Sequence, residues 1–328
     1  VFTRIMKKIS IIIPCYNVEQ YIAECLASVF EQNMQEQDFE VHIINDGLTD
    51  QSQKVAEELS KNKSNVKIIS QQNKGLGGAR NTGIKNATGD YLLFLDADDR
   101  LFPMVVEDLL NIAQHENLDI LEFSAQGINE KGQILYRVSN KSPVFFSGFD
   151  YYNSIRYMNS ACNKLYKRNF LMENGLLFLE KIYIEDFEFN TRCFAKVQRI
   201  QATDLLVAHF LQSQNSITRN TDEGKKKKMV SDIIFVLEKT KTLYQSQTRT
   251  EQSEFFYLER LNFLVATLFY QLIKNKANYK ELKSLKEELQ KKEIFFIHHR
   301  IFDFGKNVLR IVLLKNLWTY PLIKLFFK

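Results

Sequence analysis

The first 125 residues alternate two hydrophobic periods. Ile9-Ser-Ile-Ile-Ile13 is a continuous β-branched run that Pro14 stops, the pattern of a strand covered on both faces. From 18 to 32, Val18, Ile22, Leu26, Val29 and Phe30 recur at helical spacing. The alternation continues with strands at 41–44, 66–69, 91–95 and 119–123 and helices near 50–61, 77–87 and after Pro103. Strand, helix, strand at this spacing predicts βαβ units and a mostly parallel sheet covered by helices. The turns after such strands gather at their carboxyl ends, where open α/β sheets bind ligands. Between 126 and 215 the pattern loosens into strands near 133–138 and 199–211 and helices near 148–158 and 185–196. From 223 it is helical, with helices near 228–246, 251–275 and 278–292. The tail, 294–328, is rich in Phe, Leu, Ile and basic residues. There is no internal repeat, and the boundary is expected around 218–226.

At 328 residues, 45% apolar and 25% charged, the chain has room for one large or two ordinary domains and is not a disordered sequence. Its net charge of +5 conceals an asymmetry. Residues 1–224 carry 23 Lys/Arg and 29 Asp/Glu, whereas residues 225–328 carry 21 and 10. The two parts are expected to face different partners. Cys15, Cys25, Cys162 and Cys193 form no C-x-x-C pair and match no zinc spacing, so they read as buried thiols in a reducing cytosol. The opening VFTRIMKK is charged and runs straight into a strand, unlike a signal peptide, and Met6 could be the natural start. No apolar run reaches the roughly 18 residues a spanning helix needs. A cytoplasmic protein is expected.

Four polar clusters sit at expected strand ends. Pro14-Cys15-Tyr16-Asn17 alone reads as a strand end and a helix cap. Asn45-Asp46-Gly47-Leu48-Thr49-Asp50 alone reads as a turn with an N-cap. Asn73-Lys74-Gly75-Leu76-Gly77-Gly78-Ala79-Arg80-Asn81 has glycines that can let backbone N–H groups approach a phosphate, with Lys74 and Arg80 adding charge. It is neither a P-loop nor set directly behind a strand as a Rossmann fingerprint is. Asp96-Ala97-Asp98-Asp99 puts three carboxylates at the exit of a buried strand. Their repulsion is offset by a divalent cation, and oxygen ligands select Mg²⁺ or Mn²⁺. The plain alternative is a solvated helix start before Pro103.

Over about ninety consecutive residues these clusters together resemble the nucleotide-sugar domain of family 2 glycosyltransferases, inverting enzymes of the GT-A fold, of the type that builds bacterial polysaccharides. ISIIIPCYNVEQYIAECLASVFEQ is similar to that family's opening strand and helix, and INDGLTDQS to its acidic uridine-binding turn. QNKGLGGARNTGIKNATGDYLLFLDADD is similar to its glycine-rich segment and D-x-D strand. The resemblance implies an α/β GT-A domain over 1–220, a mostly parallel sheet flanked by helices. Its nucleotide-sugar half would span about 8–125 and its acceptor half about 126–220, followed by a helical, basic C-terminal region at 221–328.

By the same resemblance, Pro14 and Tyr16 lie beside the nucleobase and Asp46 accepts a hydrogen bond from it. Lys74 and Arg80 approach the sugar or diphosphate. Asp96 binds ribose or donor sugar, Asp98 holds the metal with Asp96 beside it, Ala97 lies between them in the donor site, and Asp99 is a second contact. Two positions depart from the family: Asn45 stands where an acid is usual and Leu48 where a serine is. Tyr183-Ile184-Glu185-Asp186-Phe187-Glu188-Phe189 is similar to the family's E-D motif at a helix start. An inverting transfer needs a base for the acceptor hydroxyl, which the resemblance assigns to Asp186 with Glu185 in support. On the residues alone, Glu-Asp at a helix start is a cap first. The stretch 209–219 resembles the loop that closes over the donor diphosphate, with His209 either a ligand or structural.

The implied activity is metal-dependent transfer of a sugar from a nucleotide-diphosphate sugar, UDP first, to a saccharide or lipid-linked acceptor in surface polysaccharide synthesis. The competing reading is a nucleotide-sugar binding or scaffold protein without activity, motivated by Asn45 and Leu48. Nucleic-acid binding is not expected, because no recognition motif accompanies the basic tail. The apolar and basic mixture at 294–328 suits a helix lying in an anionic membrane interface, peripheral to the inner face of the plasma membrane. It equally suits a cap on the catalytic domain or on a second subunit of a homodimer.

Overall fold

The β-branched run becomes β1 (Ile9–Cys15), buried at every position. A computed structural model describes residues 7–155, 158–213 and 222–321. Pro14 does not stop this strand. It pairs with Ile44, and Cys15 pairs with Asn45. The carbonyl of Ile12 faces the strand at 91–94, accepting from Leu95 N, so Pro14, two residues on, turns its edge to the same side. Pairing on that side ends at Phe94, and the missing N–H has no ladder partner to lose.

The alternation of periods then builds α1 (Ile22–Phe30), β2 (Phe39–Asn45), α2 (Ser52–Ser60), β3 (Val66–Ser70), α3 (Gly75–Asn86) and β4 (Tyr91–Phe94). There follow β5 (Arg100–Leu101), α4 (Val106–His115), β6 (Ile120–Ile128), β7 (Ile134–Val138), α5 (Gly148–Ser154), β8 (Lys164–Lys167), α6 (Arg168–Glu173), α7 (Glu185–Phe194) and β9 (Ile200–Leu211). The sheet runs β3-β2-β1-β4-β8-β6-β9-β5, with β7 paired to β6. β3, β2, β1 and β4 are parallel, whereas β8 is antiparallel to both β4 and β6. The sheet is therefore mixed. β5, β8 and α6 escape the sequence pattern: two are very short, and β8 reads Lys-Leu-Tyr-Lys, charged at both ends.

The parallel strands share one carboxyl edge, ending at Cys15, Asn45, Ser70 and Phe94. Each of the four polar clusters leaves this edge. The glycine-rich segment does follow a strand, since only residues 71–74 separate β3 from α3. Its glycines serve packing. A Cβ at Gly77 would collide with the Leu179 carbonyl oxygen, one at Gly78 with the Lys74 side chain, and one at Gly83 with Ile12 of β1.

The chain divides into two compact units, residues 1–217 and 218–328. The second is helical: α8 (Glu223–Ser246), α9 (Glu251–Lys274), α10 (Tyr279–Lys291) and α11 (Phe304–Leu309). Asp222 caps α8, and capping boxes Thr250/Ser253 and Asn278/Glu281 start α9 and α10. Its core is apolar residues of α8 and α9, among them Ile233, Leu237, Phe256, Leu264 and Phe269. After α11 the helix widens into a π turn over Arg310–Leu314 and tightens to a 3₁₀ turn at Leu317–Thr319. The expected interfacial helix is thus irregular where described, and residues 322–328 lie outside the described ones.

Gly83→Ala should lower stability by about 1–3 kcal/mol through overpacking against Ile12. A thermal melt checks this, with a fall of roughly 2–4 °C per kcal/mol expected for a domain of this size.

Candidate active site

The first two turns at the carboxyl edge are tied to each other. Asn17, held at φ 52°, accepts from Thr49 N at 2.9 Å and donates to Thr49 Oγ1 at 3.0 Å. Val18 N donates to Ser52 Oγ at 2.9 Å, Glu19 N to Asp50 at 3.0 Å, and Gln51 N to Glu19 at 2.9 Å. Asn45 shapes the second turn: its Oδ1 accepts from Gly47 N and Leu48 N, both at 3.0 Å. An aspartate could accept both, but Asn45 also donates, to Gln53 at 2.5 Å. Asp46 is buried, and its Oδ1 accepts from Lys74 N at 2.8 Å and Gln71 Nε2 at 2.7 Å. That ties the second turn to the start of α3. Pro14 is buried beneath this wall; Tyr16 is 51% exposed on it, and the Lys74 side chain is exposed too.

Three carboxylates leave β4 with different surroundings. Asp96 and Asp98 are part-exposed, with Ala97 buried between them. Burial, then the neighbouring Asp96 charge, pushes Asp98 up to about 6. Asp99 turns inward and accepts from Leu211 N of β9 at 2.8 Å, an anchoring role that differs from the expected second contact. Among the described residues, no three His, Cys, Asp or Glu side chains converge to hold a metal by themselves. The donor set is nevertheless hard oxygen crowded with like charge. It fits the way Mg²⁺ and Mn²⁺ are bound, by one or two carboxylates and the phosphates of a ligand.

Arg80, on α3, joins these acids to the start of α7. It is only 1% exposed. Its Nη2 donates to Asp96 at 2.8 Å, and its Nη1 to Asp186 at 2.5 Å and Glu185 at 3.1 Å. Its guanidinium also lies over the Phe178 ring, 5.2 Å from the centroid. Burial opposes its charge, but Asp186 and Asp96 outweigh it and hold its pKa above the ordinary value. Beside it, Asn81 clasps the Phe178 backbone from both sides, at 2.7 and 2.9 Å.

Glu185 and Asp186 open α7 directly after Ile184, whose φ of 58° is a left-handed conformation costly for a β-branched residue, on the order of 1–3 kcal/mol. That turn starts the helix where its first acids meet Arg80 and its N-terminal dipole. Burial, then the Asp186 charge, raises Glu185 to about 7. Burial also raises Asp186, against the pull of Arg80. The second Asp186 oxygen accepts from Ala161 N at 2.9 Å.

The structure thus gathers Arg80, Asp96, Glu185 and Asp186 into one cluster, with Asp46 and Lys74 on the adjoining wall. His209 lies in β9 as the register partner of Arg100 in β5, stacked on Phe102 at 4.0 Å and paired with Gln126 at 3.2 Å. Burial, then Arg100, lowers its pKa. Of the expected closing loop, residues 214–219 lie outside the described ones. Sequence reasoning missed Asn81, Ala161, Cys162 and Lys164.

A profile described as Glycosyl transferase family 2 matches residues 10–175, half of the chain. Among curated proteins, the uncharacterized glycosyltransferase EpsJ of Bacillus subtilis (strain 168) is 33% identical over 64% of this chain and 62% of its own. Staphylococcus aureus TarS, a poly(ribitol-phosphate) beta-N-acetylglucosaminyltransferase, is 29% identical over 60% of this chain and 34% of its own. Its residues 1–349 in complex with UDP-GlcNAc superpose with a TM-score of 0.58 at 23% identity, covering 80% of this chain and 81% of that one. The mannosyltransferase PcManGT of Pyrobaculum calidifontis, in complex with GDP-Man and Mn²⁺, gives 0.53 at 15% identity over 96% and 88%. The chain covers less than two thirds of the length of the first curated relatives. The fold is that of the GT-A glycosyltransferases. The chain belongs to glycosyl transferase family 2.

A carboxyl whose pKa is raised on folding stabilises the native state while protonated, and that contribution fades as pH rises through the folded value. For Glu185 the window runs from about 4.5 to about 7. Glu185→Gln removes the titration. It should gain stability relative to the parent between pH 5 and pH 8, on the order of 1–3 kcal/mol, as read by denaturant unfolding at the two pH values.

Proposed function

We propose that the 1–217 unit is an inverting, metal-dependent glycosyltransferase that moves a sugar from a nucleoside-diphosphate sugar to a saccharide or lipid-linked saccharide in cell-surface polysaccharide synthesis. The observation that carries this is the Arg80 cluster, in which one buried guanidinium holds Asp96 of the D-x-D strand and the Glu185–Asp186 pair together. A uridine donor is favoured by the UDP-GlcNAc bound to the staphylococcal protein, although the archaeal one carries GDP-Man.

In this reading Tyr16 and Asp46 receive the base, Lys74 faces the diphosphate, and Arg80, buried on Asp96, acts on the donor through that carboxylate. Asp98, with Asp96, would hold a divalent cation, which supplies charge neutralisation for the departing diphosphate. Asp186 takes the proton of the acceptor hydroxyl as that oxygen bonds to the anomeric carbon and the carbon–oxygen bond to the diphosphate breaks. Its raised pKa suits a general base better than an exposed carboxylate would. Glu185 and Arg80 keep it oriented.

Thermal shift with UDP and with GDP, each with Mn²⁺ and with EDTA, tests the donor side. UDP should stabilise the protein only with Mn²⁺, and Asp98→Ala should erase the shift. Asp186→Asn should keep the shift and lose about 10²–10⁴-fold in transfer. Nucleotide binding with no transfer or UDP release by the parent would instead support the inactive scaffold.

The basic unit extends the reading to a membrane. No helix among the described residues is long and apolar enough to cross one. Phe304 (83% exposed), Val308, Ile311, Val312 and Trp318 (65%) are exposed, and Phe304, Val308, Ile311 and Val312 follow helical spacing on one side. Six basic residues and one acid lie between 294 and 328. This supports a face that lies on anionic lipid. The Phe304→Ser, Trp318→Ser double variant should co-sediment at least about fivefold less with phosphatidylglycerol vesicles than the parent. Equal co-sedimentation would refute the contact.

A further inference from the structure

One buried charge in the 1–217 unit has no part in the steps above. Lys164 lies in β8, at the centre of the sheet, with its side chain fully buried. Taking an ammonium out of water costs several kcal/mol, and a strand that needed only packing would be served by an apolar residue. The charge is balanced across the sheet. Glu122 of β6 is the register partner of Lys164, 3.3 Å away and equally buried. The ammonium donates to Met158 O at 2.9 Å, Ser160 O at 2.8 Å and Asn163 Oδ1 at 2.7 Å. An ammonium has three N–H groups, and all three of these oxygens belong to the segment that leads into β8.

That segment has no ladder of its own at 158–160. Its next two residues touch the cluster: Ala161 N donates to Asp186 at 2.9 Å, and Cys162 Sγ accepts from Arg80 at 3.4 Å. Turning the carbonyls of Met158 and Ser160 inward fixes the run of peptides that ends in the Ala161 N–H.

We infer that Lys164 is a positioning residue, which holds the 158–161 segment so that Ala161 N–H fixes the orientation of Asp186, with Glu122 as its counter-charge. The inference rests on the proposed role of Asp186 as base. Lys164 touches neither donor nor acceptor in this account. It acts on the transfer step through the loop, and binding of the nucleotide at the wall that carries Tyr16 and Asp46 is independent of it.

The test compares the parent, Lys164→Met, Glu122→Gln and the double variant Glu122→Gln, Lys164→Met. The double variant matters because Lys164→Met alone strands a buried carboxylate and can fail to fold, whereas removing both charges leaves none uncompensated. Transfer from UDP-sugar is measured as kcat and KM, alongside amide hydrogen exchange of 158–161 in the full chain. The folded double variant should lose about tenfold or more in kcat with donor KM within about twofold, because a small misplacement of a reacting group is costly. Its 158–161 amides should exchange faster, while Glu122→Gln, which removes the counter-charge but keeps the amine and its three oxygen partners, should fall between the parent and the double variant in both readouts. Parental kcat and protection in the double variant would overturn the inference. If the parent itself transfers no sugar, the proposed function fails, and unchanged exchange at 158–161 in the double variant would still refute the loop's dependence on Lys164.

Discussion

The 1–217 unit is organised about one ion. Arg80 is buried, and its partners come from residues 16 and more than 100 positions away, at the end of β4 and the start of α7. Three carboxylates drawn this close would repel one another in a medium of low polarity. The guanidinium supplies the opposing charge in a planar fork whose donors can reach them all. Remove it and the end of β4 and the start of α7 lose their common centre, with uncompensated acids left behind. Much of the surrounding sequence keeps that ion in place: Gly77 lets α3 close on Leu179, Asn81 clasps Phe178, and the Phe178 ring lies under the guanidinium.

The sequence was most readable where each element buries a continuous face. β1, β2, β4 and the helices between them announce themselves by runs of β-branched residues or by helical spacing, and the long helices α8 to α10 do the same. The stretch after β6 was harder to read because most of its elements are short and their contacts non-local. β8 is four residues long with lysines at both ends, and Lys164 is buried only because Glu122 meets it across the sheet. Neither fact can be read from residues 164–167 alone. The proline at 14 misled for a related reason. Whether a proline ends a strand depends on where the neighbouring strand stops, which local pattern does not contain.

Individual site residues show the same division. Asp46, Asp96, Glu185 and Asp186 were legible as charged residues at strand and helix ends, and Arg80 as a cation of the glycine-rich segment. Their mutual distances were not, and these separate Asp99, which anchors β9, from Asp96 and Asp98 beside it. The glycines of α3 were legible as a motif, but the reading attached to them was phosphate approach, whereas several of them admit neighbouring protein atoms. Asn45 reads as a departure from an acidic pattern. In the fold it performs the turn-forming work of an acid and adds a donor bond to Gln53.

The cross-links between the first two turns have a consequence of their own. Asn17, Glu19, Thr49, Asp50 and Ser52 join segments about 32 residues apart through side-chain bonds that form once β1 and β2 are side by side. This wall is therefore completed by folding itself. A small molecule arriving there meets a surface with little disorder left to remove, so most of the contact it makes is available as affinity. Replacing any one tie would first loosen the empty protein, and the cost would surface in the rate at which a bound molecule leaves.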